Sequence, residues 1–359
     1  MATYRYAAII AAAVFTCLAT AANAAPALSL PTEHVLETFQ VGENVYVRAL
    51  TVEKSTNTLW VGTSVGVHEI DLKTSKPRNT FTRKEGLANE YVFSVGIDSK
   101  GYKWFGTNAG GASRYKDGKW KTYFPLHGLA DYWVYSFAND KKGDLWIGTW
   151  AGANRFDIKT NKFKTYYKEL VNEWVYGIDV DPQGRVWFGT EGGVSMFDGK
   201  TWAAWTHKEG LGAPNVDGLP PSPNTGLGTR MRHDLNVHVD GGLSYNPSYV
   251  LSILAAPDGT IWAGTWGGGA AHFDGKTWTN FTSKSGLGGD MVFAITRDLN
   301  GALWFGTDKG VARYDGKTWR RFGVGEGLLD NLVYALAVAP NGDIWAGTKR
   351  GVARIGLNN

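Results

Sequence analysis

The feature that most constrains this chain is a pentapeptide. Leu303-Trp304-Phe305-Gly306-Thr307 recurs with small changes as Leu59–Thr63, Lys103–Thr107, Leu145–Thr149, Val186–Thr190, Ile261–Thr265 and Ile344–Thr348. Its tryptophans (Trp60, Trp104, Trp146, Trp187, Trp262, Trp304, Trp345) follow one another at steps of 44, 42, 41, 75, 42 and 41 residues. A period near 42 with one long step describes an array of equal modules that become stable by stacking on their neighbours. The 359 residues alone would allow two domains. The repeat argues instead for one large closed domain.

Each module reads as four short strands. In the sixth copy these are Val292–Thr296, Ala302–Gly306, Val311–Tyr314 and Thr318–Phe322. Asp315-Gly316 before the last of them reads as a type I′ hairpin turn, as do Asp117-Gly118, Asp198-Gly199 and Asp274-Gly275. Four strands at this period predict an all-β fold, a seven-bladed β-propeller whose radial arrangement protects the sheet edges. The last copy lacks its outer strand, while His34–Gln40 forms an orphan strand ahead of the first copy, with Phe39 placed like Phe281 and Phe322. Pairing of this N-terminal strand with the last blade would close the ring and hide two edges.

The repeated Trp is expected in the core, where each removes roughly 150–250 Å² from water. The Gly after it lets a neighbouring backbone approach. The pattern of apolar-Trp-Phe/Ile-Gly-Thr, then Gly-Val-Ala-Arg-Tyr-Asp-Gly-Lys-Thr-Trp, then Phe-Thr and Gly-Leu, resembles the two-component regulator propeller repeat and covers most of the chain. That resemblance implies a sensor-type propeller of the sort found in the periplasmic portion of hybrid sensor histidine kinases, many of them tied to polysaccharide use. This chain shows no kinase and no second apolar stretch long enough to span a bilayer. A more distant similarity is to streptogramin lyase, whose catalytic His and Glu find no counterpart here.

In a propeller the loops before the inner strands and those between second and third strands share one rim. Just before the inner strands stand Tyr46, Tyr91, Trp133, Trp174, Tyr249, Met291 and Leu332, beside polar groups that include Glu90, Asp131 and Glu173. The second-to-third-strand loops add Trp150, Trp266 and Glu191. Trp150 and Trp266 lie in Gly-rich loops, where an exposed indole would mark an interaction site. The candidate ligand site is therefore this aromatic rim, with carboxylates suited to a sugar ring, a peptide side chain or an organic cation. Small residues two positions into each inner strand (Ala49, Ser94, Ser136, Gly177, Ser252, Ala294, Ala335) suit strands crowding round an axis.

Arg5, the apolar run Ala7–Ala22 and the Ala22-Asn23-Ala24 site predict a signal peptide over residues 1–24, cleaved after Ala24, and a propeller over 25–359 that is periplasmic or secreted. The single Cys17 falls inside the signal, so the mature chain has no thiolate, disulfide or haem attachment. The net charge of +4 carries no basic run of the kind nucleic acid needs. The long step comes from an insertion, 211–247, on the candidate rim between blades four and five. Its second half, Met231–Val239, alternates like a small ribbon. Arg230, Arg232, His233, Asp234, His238 and Asp240 within it match no metal-ligand spacing. No G-x-S-x-G element or HExxH is present. The sequence thus points to a monomeric binding or sensing propeller without cofactor, metal or catalytic residues of its own. Its partner would be a small molecule or glycan, or another envelope protein. Two rivals stand beside it. One is a polysaccharide or cyclic-ester lyase or hydrolase using Glu90, Asp131, Glu173 and Glu191. The other is a scaffold subunit of a cell-envelope complex.

Overall fold

The computed structural model describes residues 32–222 and 244–357. They form twenty-eight strands, from β1 (Glu33–Phe39) to β28 (Gly351–Leu357), in seven four-stranded antiparallel sheets. The inner strands of successive sheets touch round an axis, the last meeting the first. The protein is a seven-bladed β-propeller. The signal segment 1–24, the ribbon Met231–Val239 and the Arg, His and Asp residues of the insertion lie outside the described residues. No described helix is long and apolar enough to cross a membrane.

The motif explains the ring. Each Trp is buried between its own sheet and the next, as Trp104 is against Tyr123 (5.2 Å, stacked) and Phe156 of the following blade (5.0 Å, edge-on). Its indole N–H is satisfied by a carboxylate at the turn six or seven residues earlier. Trp60 donates to Glu53 and Trp104, Trp187 and Trp304 to Asp98, Asp181 and Asp298, at 2.8–2.9 Å, and Trp146 to Asp140 at 3.3 Å. The same carboxylates hold their turns: Asp98 accepts from the backbone N–H of Lys100 and Tyr102 and from Arg114. Ala256 and Ala339 occupy this position in blades five and seven, and the buried Trp345 indole N–H has no partner among the described residues.

The motif glycine is required for blade contact. A Cβ on Gly62 would sit 2.9 Å from Cγ1 of Val92, and one on Gly347 would sit 2.5 Å from Cγ1 of Val47, the first residue of the first inner strand. Every motif glycine meets the opening valine of the next blade in this way, through its side chain or its carbonyl.

The ring closes as the orphan strand predicted, with β1 spanning 33–39 rather than 34–40. It pairs antiparallel with β28, Phe39 opposite Val352, and the Phe39 ring packs 6.1 Å from Trp345. Glu37 bonds Arg354 at 2.7 Å, and Glu33 reaches Arg313 and Arg320 of blade six at 3.0 and 3.1 Å. The hairpin turns need one correction. Both Asp117 (φ 50°) and Gly118 (φ 77°) take positive φ, as a type I′ turn requires. In the other three only the glycine does (φ 96–99°). There the Asp precedes the turn, and its Oδ1 accepts two backbone N–H groups, as Asp198 does from Lys200 and Thr201. The extra Thr in Asp-Gly-Lys-Thr-Trp moves Gly to the first central position, where a type II′ turn wants it.

Blades four and five, which flank the insertion, share a buried carboxylate. Asp179 Oδ2 accepts the Ala255 N–H at 2.8 Å. Burial, with the nearby Asp181 charge, pushes its pKa up to about 6.

Two predictions follow from these contacts. Gly347→Ala should cost about 1–3 kcal/mol by overpacking against Val47. Gly325→Ala, which meets nothing within 4 Å, should be near neutral in the same urea titration. For Asp179, the unfolded carboxyl titrates near 4 and the folded one near 6. The folded chain therefore binds a proton in that window that the unfolded chain releases. Its contribution is full below pH about 4 and lost as pH rises through 6. Asp179→Asn, whose amide oxygen still accepts from Ala255, should flatten the fall in stability between pH 4 and 6 and raise stability at pH 7.

Candidate functional site: the axial cavity

Each of the seven inner strands carries a β-bulge at the same place. The ladder slips between Val47 and Ala49, Val92 and Ser94, Val134 and Ser136, Val175 and Gly177, Val250 and Ser252, Val292 and Ala294, and Val333 and Ala335. A bulge leaves one residue unpaired and re-aims its side chain. The residues set aside are Arg48, Phe93, Tyr135, Tyr176, Leu251, Phe293 and Tyr334. All seven line one cavity of about 270 Å³ at the propeller axis. Below them the small residues two positions into each strand, Ala49 to Ala335, line the same cavity.

The bulged side chains form a belt. Phe93 stacks on Tyr135 at 5.2 Å, Tyr135 meets Tyr176 at 4.8 Å, and Tyr176 meets Tyr249 at 4.8 Å. Tyr249 stacks on Trp266, which meets Phe293, which meets Tyr334 at 5.3 Å. Arg48 closes the circle, its guanidinium 4.6 Å from the Tyr334 ring centre and 5.8 Å from that of Phe93. Among the described residues lining the cavity Arg48 alone is charged. Its Nε and Nη1 are buried and have no hydrogen-bond partner among the described residues. Burial raises the Tyr135, Tyr176 and Tyr249 hydroxyls well above the phenol range, with neighbouring tyrosine and Glu191 charge adding to it. They stay protonated at any physiological pH.

The rim residues are only partly where the sequence suggested. The shared rim is real: the residue after the second strand donates its N–H to the residue before the inner strand, as in Trp150 to Trp133, Glu191 to Trp174 and Asn108 to Tyr91. Trp150 and Trp266, expected to be exposed, are 7% and 0% exposed. Trp150 is wedged between Trp133 (5.6 Å) and Trp174 (4.9 Å). Trp266 ends a lengthened second strand, Ile261–Trp266, and pairs with Asn246 of the ten-residue inner strand Asn246–Ala255. Its indole N–H donates to Ser244 at 2.9 Å. Tyr249 and Trp174 are buried too, leaving Tyr46, Tyr91 and Trp133 partly exposed.

Several polar rim groups hold backbone. Asn89, Asp131 and Asn172 accept the N–H two residues on, from Tyr91, Trp133 and Trp174. Glu90 accepts the Arg83 N–H of the preceding loop, and Glu173 is exposed. Of the four candidate carboxylates, Asp131 and Glu191 are the two whose charges act on Tyr135. Glu191 is buried and accepts from the Tyr176 hydroxyl at 3.3 Å. The described ends of the insertion meet beside it. Ser222 N–H donates to the Tyr245 carbonyl, Tyr245 hydroxyl donates to the Ala213 carbonyl, and Pro221, Tyr245, Asn172 and Glu191 line a second cavity.

The fold and the axial cavity define the class, a closed propeller of seven equal blades. The family described as two component regulator propeller matches residues 128–151, 169–192, 242–267 and 327–350, so the chain carries repeats of that family. No curated protein matches it. Among solved structures it is similar to the extracellular domain of a hybrid two component system from B. thetaiotaomicron, at 23% identity and a TM-score of 0.71, over 90% of this chain and 41% of that one. It is similar to virginiamycin B lyase from Staphylococcus aureus at 15% identity and 0.63, over 91% and 99% of the two chains. It is also similar to PorZ, a surface component of the type-IX secretion system of Porphyromonas gingivalis, at 16% and 0.61, over 87% and 46%. The chain thus spans about two fifths of the extracellular domain it matches. Likeness at these identities is likeness of fold alone.

The burial of the rim indoles has a measurable consequence. Trp266→Ala should cost roughly 3–5 kcal/mol, as large core truncations do. Tyr46→Ala, at a partly exposed position, should cost less than half of that in the same denaturation experiment.

Proposed function

We propose that this chain is an exported, sensor-type binding propeller whose ligand enters the axial cavity from the rim of Tyr46, Tyr91 and Trp133, with no catalytic activity of its own. The observation that carries this reading is the cavity itself, where aromatic walls meet the hydroxyls of Tyr and Ser residues and one arginine, so that apolar faces and polar groups converge as in a small-molecule site. The likeness to the extracellular domain of a hybrid two component system agrees with a sensing role. The signal peptide over residues 1–24, a periplasmic or secreted location, and the aromatic and carboxylate residues of the rim belong to the same proposal. Trp150, Trp174, Trp266 and Tyr249 act in it as the wall behind the ligand, and Asp131 and Glu191 as polar groups near the mouth.

A docking role has one observation in its favour. The described base of the insertion lies on the same rim, where Val216 is exposed. Filling the cavity separates the two readings. Leu251→Trp places a larger ring among the bulged side chains. A panel of sugars, organic acids and amines should give hits by thermal shift with the native chain, and those shifts should vanish with Leu251→Trp. Shifts of equal size in both proteins would contradict an axial site and favour the rim or insertion.

A further inference from the structure

Beyond the axial site, we infer that the end of the ring opposite the rim docks on an anionic lipid surface through blades two and three. Residues 92–166, which build these blades, carry twelve Lys and Arg against six Asp and Glu, a net +6. Residues 175–281, blades four and five with the insertion, carry six against ten, a net −4. No basic run marks the sequence; the repeat assembles the patch from separate turns. Each blade has two turns at this end, one between its first and second strands and one between its third and fourth. In blades two and three these turns and their flanking residues hold Lys100, Lys116, Lys119, Lys141, Lys142, Lys159 and Lys162. Lys116 is half-buried and the other six are exposed. Where blade three has Lys141 and Lys142, blade four has Pro182 and Gln183 and blade five has Pro257 and Asp258.

Most acids beside these lysines are engaged elsewhere. Arg114 pairs with Asp98 at 2.9 Å, and Arg155 with Asp140 and Asp144 at 3.0 and 2.9 Å. Asp157 accepts the backbone N–H groups of Lys159 and Thr160. The net +6 already counts every one of these carboxylates, and the exposed Asp117 as well. The turns of the two blades form one face. The Ser99 hydroxyl donates to the Gly143 carbonyl at 2.7 Å, Lys100 Nζ to the Ile158 carbonyl at 2.6 Å and Lys116 Nζ to the Lys100 carbonyl at 2.7 Å. Equivalent turns of equal blades stand at one level of the ring, so their lysines spread over a plane.

That spread suits a bilayer surface. Lysine is a hydrated point charge on a flexible stem, able to follow mobile headgroups without a fixed clamp. Protein interfaces are poor in Lys and rich in aromatics. The exposed large apolar groups of residues 92–166, Leu126 and Tyr132, lie on the rim instead. Near an anionic leaflet each lysine adds to the attraction, and the negative blades four and five tilt away. The rim, at the other end, stays open to solvent.

The test is flotation of the mature protein with vesicles of phosphatidylglycerol mixed with phosphatidylcholine, and of phosphatidylcholine alone. Binding to the anionic vesicles should be at least about tenfold tighter than to the neutral ones and should fall as salt is raised. Reversing charge at the turns, with Lys119→Glu, Lys142→Glu, Lys159→Glu and Lys162→Glu together, should weaken it at least about tenfold. The same change on the rim, with Lys84→Glu, Lys168→Glu, Lys208→Glu and Lys309→Glu, should alter it less than about threefold. A glutamine set at the four turn positions should weaken binding in the same direction, and decides the matter where the glutamate set does not fold. Equal binding to both kinds of vesicle, equal losses with the turn and rim sets, or binding unmoved by the turn sets would overturn the inference. Tighter binding of a polyuronate or of duplex DNA than of vesicles would give this end to a soluble polyanion and overturn it too. Leu251→Trp should leave vesicle binding unchanged, so failure of the axial site and failure of lipid docking are read separately.

Discussion

Everything in this molecule depends on how closely one blade can lie against the next. The contact is made where a glycine of the second strand faces the first valine of the following inner strand, with no room for a methyl group between them. Repeated around the circle, that approach sets how tightly the inner strands crowd the axis. The tryptophan beside each glycine then fills the wedge that opens outward, and a turn carboxylate satisfies its indole N–H in five of seven blades. β1 completes the last blade as its outer strand, and the last and first blades meet through the same glycine-to-valine contact as all the others.

Crowding at the axis has a second effect. A regular strand would send alternate residues into the two neighbouring blades and none along the axis. The bulge after the first valine releases one residue per blade from that alternation. The small residue that follows it keeps the strands close: Ser94 and its counterparts sit opposite the motif glycine, and the Ser94 hydroxyl donates to the Val134 carbonyl of the next blade. The belt of aromatic rings is thus a product of the packing. Its chemistry is set by one residue per blade that the core does not constrain. Six of those positions are uncharged, and Arg48 differs.

The architecture was legible because it is written seven times. The period of the tryptophans, the Asp-Gly turns and the orphan strand with Phe39 each have a local cause that survives translation into structure. The site was less legible. Periodicity of two marks the residues of a strand as facing one way or the other, and a bulge breaks that count without leaving a turn residue behind. Arg48, Phe93, Tyr135, Tyr176, Leu251, Phe293 and Tyr334 were therefore passed over, although they stand at one fixed offset past a valine. A lone arginine in a column of aromatics was the available signal. Trp150 and Trp266 misled for the opposite reason. Glycine-rich surroundings suggest an open loop, but here the glycines let the chain fold back so that the indoles turn inward, onto Trp133 and Trp174 in one case and onto Tyr249 in the other. Asp131 reads as a ligand group because its backbone partner two residues ahead, the Trp133 N–H, cannot be seen in a sequence.

The central claim is that the bulges aim one side chain per blade at the axis, where together they wall a single cavity. A crystal structure of the mature protein tests it most directly. The account predicts a break in the ladder after the first valine of every inner strand, with Arg48, Phe93, Tyr135, Tyr176, Leu251, Phe293 and Tyr334 all inside the ring. An unbroken ladder in the inner strands, or these side chains turned into the blades and away from the axis, would contradict it.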